Sequence, residues 1–123
     1  MLEMIDTADD VLALKIAGKI TGADLDAVMD RLEEALRRHD KVHLFIETSA
    51  IDSIEIAALP SYTARAMPLF GKLGRFGRVA VVADQAWIRV ATRIESAILP
   101  FISYRVFEPD QRAEALAWVT GKD

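Results

Sequence analysis

The sequence predicts a single α/β domain with a mostly parallel five-stranded sheet, an antiparallel N-terminal edge strand and four helices. The uninterrupted apolar run Val79–Ala83 is typical of a strand that is buried on both faces of its sheet. Segments with helical periodicity alternate with the strands, and such alternation requires crossover connections between parallel neighbours. A chain of 123 residues has the size of one domain, here residues 1–123.

Two apolar segments at the N-terminus predict a β-hairpin. Leu2–Ile5 and Val11–Ala17 are separated by the turn-like letters TADD. We expect Leu2–Ile5 to be the edge strand of the sheet, where acidic residues in the turn discourage pairing with other chains.

The first helix is predicted to begin with a cap at Thr21, and Arg37, Arg38 and His39 are expected at its C-terminus. Thr21 and Asp24 have the spacing of a capping box, in which each side chain accepts a hydrogen bond from the other residue's backbone N–H. Basic residues at the other end suit the helix dipole. The apolar positions repeat at helical spacing on one face and are Leu25, Val28, Met29, Leu32 and Leu36.

The next strand is predicted at Val42–Thr48, and a loop is predicted at Ser49–Glu55. A second helix is expected from about Leu59–Pro60, because proline is tolerated in a first helical turn. Pro68 predicts a kink or an early end of that helix.

A third helix is predicted at Gln85–Leu99, directly after the central strand, with Asp84 as its N-terminal cap. Ser103–Phe107 is the predicted last strand. A closing helix is expected to begin at Pro109 and to end before Gly121.

Composition excludes several classes of protein. The chain has no cysteine, so it has no disulfide or thiol chemistry. No segment is apolar and uncharged over the roughly 18 residues that a membrane span needs, and the acidic start does not resemble a signal peptide. We therefore expect a cytoplasmic protein.

Charge is distributed unevenly along the chain. Residues 1–55 have a net charge of −7 and residues 65–93 a net charge of +5, within a total of −4. The overall acidity argues against nucleic-acid binding. Within the basic segment, Arg89 and Arg93 are four residues apart and could clamp a phosphate or carboxylate; a solvated helix face is the favoured interpretation. Trp87 is interpreted as a core residue or as the lining of a cavity.

Motifs for catalysis are weak. The chain has only His39 and His43, without the spacing of a metal site, so no metal or other cofactor is predicted. His43 is interpreted as a buried or edge imidazole with one hydrogen bond. Asp52 and Glu55 are expected in a loop at the edge of the sheet where α/β proteins bind ligands, although capping and general acidity explain them more simply.

Three stretches carry a resemblance to a known family: GKITGADLDAVMDRLEEAL, FGRVAVVADQAWIRVATRIESAILPF and YRVFEPDQRAEALAWV. Together they resemble the bacterial SpoIIAA-like proteins, which are related in fold to STAS domains and to the lipid-binding CRAL-TRIO domain. The resemblance implies a βα superhelix with helices packed on a largely parallel sheet. Fold alone does not decide function.

The related anti-sigma-factor antagonists have a D-S-S-G step, whose second serine a kinase phosphorylates. The comparable residues here are Asp52, Ser53, Ile54 and Glu55. The phosphorylated position therefore falls on Ile54, and a phosphate on Ser53 would face two carboxylates. The resemblance to lipid-binding relatives implies instead a space between sheet and helices, for which the lining candidates are Phe45, Met67, Phe70, Ile94 and Phe101. A packed core would use the same residues.

These features predict a binding or regulatory module without catalytic activity, acting through a protein partner or a small ligand, with binding candidates Asp52, Ser53, Trp87, Arg89 and Arg93. A small ligand of the module could be anionic or apolar. The alternative is a carrier of a small apolar ligand or lipid, with a pocket between sheet and helices and a basic mouth near Arg89 and Arg93. A weaker alternative is an enzyme that uses Asp52, Glu55 or His43. A homodimer is expected, because the predicted third helix has apolar residues away from its main stripe. These residues are Ile88, Val90 and Leu99.

Overall fold

The structure is a computed structural model that describes residues 2–5, 7–54, 75–84 and 102–121, with the main chain alone at residues 20 and 49–54. The predicted second and third helices lie outside the described residues. The elements in chain order are β1 (Leu2–Ile5), β2 (Val11–Ile20), α1 (Gly22–Arg38), β3 (Val42–Ile54), β4 (Phe76–Val82), β5 (Ser103–Phe107), a 3₁₀ turn (Pro109–Gln111) and α2 (Arg112–Thr120).

The sheet has the order β1-β2-β3-β4-β5. β1 runs antiparallel to β2, with Leu2 opposite Ile16, and the three remaining pairs are parallel. The prediction of a mostly parallel sheet with an antiparallel N-terminal edge strand is therefore confirmed.

β4 lies inside the sheet, between β3 and β5. Each residue of Val79–Ala83 is at most 8% exposed, as the apolar run predicts. Alternate side chains join two separate clusters, because successive strand residues point to opposite faces. Val79, Val81 and Ala83 belong to the cluster that contains Leu32, Ala35 and Leu36 of α1. Ala80 and Val82 belong to the cluster that contains Ala115 and Val119 of α2.

Helix α1 is held at both ends by side chains. The Thr21 N–H donates to Asp24 Oδ2 at 3.0 Å and the Asp24 N–H donates to Thr21 Oγ1 at 3.2 Å, which confirms the predicted capping box. At the other end, Arg75 Nη2 donates to the carbonyl oxygens of Leu36 and His39. The Arg75 guanidinium thus satisfies carbonyl groups that have no partner within the helix.

The predicted loop at Ser49–Glu55 is wrong as far as Ile54, because β3 continues through these residues and β2 continues to Ile20. The two strands pair beyond the end of β4, with Ser49 opposite Ala17 and Ser53 opposite Lys19. Main-chain pairing with β2 explains why this polar stretch is extended: backbone hydrogen bonds do not depend on apolar side chains.

The extended pairing is irregular. Ser49, Ile51 and Ser53 are opposite Ala17, Gly18 and Lys19, so Ala50 and Asp52 have no residue opposite them in β2. Gly18 has a φ of +64°, a left-handed conformation that favours glycine. We call the segment formed by residues 17–20 of β2 and 49–54 of β3 the bulged ribbon.

The closing helix begins as the 3₁₀ turn Pro109–Gln111 and becomes α-helical at Arg112. It ends at Gly121, whose φ of +79° is left-handed. None of the described helices has the length and apolar character needed to cross a membrane.

Candidate functional site

The carboxyl ends of the four parallel strands meet at one edge of the sheet, where ligands bind in open α/β sheets. We call this the carboxyl edge. Polar residues with described side chains at this edge include Glu47 and Thr48 of β3, Asp84 after β4, and Arg112 at the start of α2. The bulged ribbon extends from the same edge.

Glu47 and Arg112 form an ion pair at the carboxyl edge. Arg112 Nε donates to Glu47 Oε1 at 3.0 Å, and the Glu47 side chain is only 14% exposed whereas that of Arg112 is 43% exposed. The guanidinium also lies 5.9 Å from the centre of the Phe45 ring, a cation–π distance. Arg112 therefore compensates a largely buried carboxylate and covers the end of the core.

Thr48 and Asp84 are two further polar residues at the carboxyl edge. Thr48 Oγ1 donates to the carbonyl oxygen of Val82 at 3.3 Å, which connects β3 to β4 where their main-chain pairing ends at Glu47 and Val82. Asp84 is half-buried. The helix that it was predicted to cap lies outside the described residues.

The main chain of the binding candidates Asp52 and Ser53 lies in the bulged ribbon. Ser53 is opposite Lys19, and Asp52 has no opposite residue in β2. Bulges occur often beside functional sites, where they redirect a side chain. The other binding candidates, Trp87, Arg89 and Arg93, lie outside the described residues.

Of the five candidates for lining a pocket, the structure describes Phe45. It is 0% exposed and belongs to the core cluster under α2, together with Phe107 and Val119. The remaining candidates, Met67, Phe70, Ile94 and Phe101, lie outside the described residues.

Two arginines of the basic segment have structural partners at the opposite edge of the sheet. Arg75 donates to carbonyls at the end of α1. The Arg78 guanidinium lies beside the end of α2. A Cβ added at Gly121 would be only 3.2 Å from Arg78 Nη1. Positive charge at both helix C-termini is favoured by the helix dipoles.

His43 lies at this amino-terminal edge, in a second irregularity of the sheet. Val42 is opposite Phe76 and Leu44 is opposite Val79, so His43 faces both Gly77 and Arg78. Its Nδ1 accepts a hydrogen bond from the Arg78 N–H at 2.8 Å, and its Nε2 lies 3.7 Å from Asp10 Oδ2. The expectation of a buried or edge imidazole with one hydrogen bond is confirmed.

The pKa of His43 is lowered, chiefly because burial disfavours the charged imidazolium. The positive charges of Arg78 and Lys41 lower the pKa further, and the Asp10 carboxylate opposes them. A neutral ring is also what the geometry requires, since Nδ1 must be unprotonated to accept the Arg78 N–H.

The Glu47–Arg112 and His43–Asp10 pairs are not predictable from local sequence patterns. Glu47 and Arg112 are 65 positions apart, and no local pattern joins residues at such a separation. A usable signal was the acid at the end of the otherwise apolar strand sequence VHLFIET, since a half-buried carboxylate needs a partner. Among the described residues, no group of three or more acidic or histidine side chains could hold a metal ion.

Comparisons with known proteins agree with this architecture. A family model described as SpoIIAA-like matches residues 11–120. The crystal structure of an uncharacterized protein from Shewanella loihica PV-4 with a SpoIIAA-like fold superposes with a TM-score of 0.66 at 22% sequence identity, covering 97% of this chain and 92% of that one. No curated protein matches.

Proposed function

Because the chain belongs to the SpoIIAA-like family, we propose that it acts as a binding or regulatory module without catalytic activity, through contacts with a protein partner or a small ligand. The family match spans β2 to β5 and both described helices. We place the contact surface at the carboxyl edge.

The bulged ribbon is the observation that carries this proposal. β2 and β3 continue past the end of β4, so this part of the sheet extends beyond its neighbours toward a partner. Asp52 lies at a bulge within it, and bulged positions commonly present a side chain for a functional contact. Asp52 and Ser53 are therefore the proposed contact residues.

The Glu47–Arg112 pair supports binding over catalysis. A general base must have its carboxylate open to the substrate proton that it removes, whereas the Glu47 carboxylate is already engaged by the Arg112 guanidinium at 3.0 Å.

Phosphorylation of Ser53 is not part of the proposed mechanism. Asp52 directly precedes Ser53 and Glu55 follows it by two positions, and a phosphate close to carboxylates is unfavourable. We expect Ser53→Asp and Ser53→Ala to change partner binding to the same extent. A clear difference between the two variants, or phosphate on Ser53 in protein from cells, would show that a switch exists.

Native mass spectrometry of the chain purified from its own host tests the proposal. We expect a bound partner or ligand on the wild-type chain and its loss from Asp52→Asn. Ser103→Ala is the matched control, because Ser103 is an exposed residue at the amino-terminal end of β5, on the opposite edge of the sheet. A chain without any bound species, or equal occupancy in Asp52→Asn and wild type, would reject the proposal.

The same spectra separate the second function that the family's relatives suggest. A lipid-sized apolar molecule could stay bound to Asp52→Asn and be lost from an Arg89→Ala/Arg93→Ala variant. That result would show that the chain is a carrier and not the module proposed above. Met67, Phe70, Trp87, Ile94 and Phe101 would then be the residues to test as its lining.

A further inference from the structure

A cavity of about 140 Å³ lies beside the turn that connects β1 to β2. Met4 of β1, Thr7 and Asp9 of the turn, Leu12 of β2 and Arg31 of α1 are among the residues that line it. It is at the amino-terminal edge of the parallel strands, opposite the carboxyl edge.

Two opposite charges line this cavity without contacting each other. No ion pair joins Asp9 to Arg31 within 4 Å, and neither side chain has another charged partner among the described residues. Nearby groups are paired, since Asp10 faces His43 and Arg38 contacts Glu34. Arg31 is also half-buried, and no acceptor for its guanidinium is found among the described residues.

The apolar residues of the cavity wall favour a ligand that also has an apolar group. Among the described residues, Met4 is the large apolar residue that is exposed, at 43%. Methionine is usually buried. Leu12 is only 2% exposed and forms the inner wall. An occupant with a short alkyl group would cover Met4 while its charged ends reached the two ionised side chains.

We propose that this cavity binds a small zwitterion of the aliphatic α-amino-acid type. The carboxylate would accept hydrogen bonds from the Arg31 guanidinium, whose planar donors match that group. The ammonium would face the Asp9 carboxylate, and the alkyl group would lie against Met4 and Leu12. The volume suits such a ligand, since a cavity of roughly 150 Å³ admits benzene.

Titration of the ¹⁵N-labelled chain, followed by amide chemical shifts, tests this with L-leucine as the probe. We expect leucine to shift the amides of residues 7–12 and of Arg31. The two matched analogues are 4-methylpentanoate, which lacks the ammonium, and isoamylamine, which lacks the carboxylate. Each should bind at least about tenfold more weakly, because each leaves one charged wall residue unpaired.

Variants assign the roles. Arg31→Gln and Asp9→Asn should each weaken leucine binding by about tenfold or more. Arg37→Gln is the control, because Arg37 is an exposed arginine of α1 that does not line the cavity. Asp9 is itself exposed, so Asp9→Asn tests the site even where Arg31→Gln perturbs folding.

Three results would overturn the inference: no shifts with about 10 mM leucine, equal binding of leucine and its two analogues, or leucine binding unchanged in Asp9→Asn. Because this cavity and the carboxyl edge are at opposite ends of the strands, none of these results bears on the module proposed above.

Discussion

A single imidazole determines how β3 and β4 meet at their amino-terminal ends. His43 Nδ1 accepts a hydrogen bond from the Arg78 N–H. In a regular ladder this N–H would donate to a main-chain carbonyl oxygen. The side chain lies against Gly77, where an added Cβ would be 2.3 Å from His43 Cε1. Such a distance is far below van der Waals contact, so this position requires glycine for reasons of space.

Gly77→Ala is predicted to destabilise the chain by about 1–3 kcal/mol, the usual cost of forcing an extra methyl into a packed site. The ring can avoid the methyl only by giving up its hydrogen bond to Arg78. Urea unfolding followed by circular dichroism measures the change.

A double-mutant cycle provides the control. In a His43→Ala background the added methyl meets no ring, and Gly77→Ala should then cost much less. An equal cost in both backgrounds would show that the glycine is needed for a reason other than the imidazole.

The lowered pKa of His43 predicts a specific pH dependence. The unfolded chain binds a proton at this residue as the pH falls through its ordinary pKa of 6.5, whereas the folded chain does so only at lower pH. The free energy of unfolding is therefore fully maintained above pH 6.5 and declines as the pH falls below it.

Urea unfolding at about pH 7.5 and about pH 5.5 measures this decline. His43→Asn is the comparison, because its side chain still offers an acceptor for Arg78 but does not titrate. The wild-type chain should lose more stability than the variant between the two pH values. Equal losses would assign the pH dependence to other groups.

At the scale of an element, α1 depends on a residue far from it in the chain. Arg75 donates to carbonyls of Leu36, His39 and Asp40 at the helix end. Arg75→Ala is predicted to cost about 1–2 kcal/mol, since hydrogen bonds from a charged donor are lost.

Arg37→Ala is the control for Arg75, because Arg37 is exposed in the last turn of α1 and surface changes usually stay within about 0.5 kcal/mol. Urea unfolding of both variants gives the comparison. If Arg75→Ala and Arg37→Ala lower the free energy of unfolding equally, Arg75 contributes through its positive charge at the helix end and not through its hydrogen bonds.

Local patterns in the sequence were enough to predict the described elements but not their irregularities. The Thr21–Asp24 spacing and the apolar run Val79–Ala83 each contain their whole signal within a few residues. The extension of β3 to Ile54 depends instead on β2, more than 30 positions earlier. The sequence of this extension, SAIDSI, resembles a loop. Its main-chain pairing with β2 makes it a strand.

The same contrast separates the parts of the candidate site. Asp52 and Ser53 were selected from a family resemblance in one short stretch. Glu47 was not, because its importance depends on Arg112, which the fold brings to it from 65 positions away. A carboxylate at the end of a strand is ordinary until its burial is known.

At the scale of the whole molecule, we predict a homodimer. Ile88, Val90 and Leu99 are apolar residues away from the main stripe predicted for their segment, and a symmetric contact would cover them. Light scattering at micromolar concentration should give twice the chain mass of 13.6 kDa. Ile88→Glu/Val90→Glu should halve that value, and a wild-type mass of one chain would remove the proposal.

The sheet order has a consequence for synthesis. Because β1 to β5 are neighbours in the order in which they occur in the chain, each strand finds its partner already made when it leaves the ribosome. None of the five described strands must insert between two earlier ones. Translation takes seconds for a chain of this length at about 5–20 residues per second. The sheet can therefore grow from one side as it is synthesised, and each of β1 to β4 is paired by the strand that follows it in the chain.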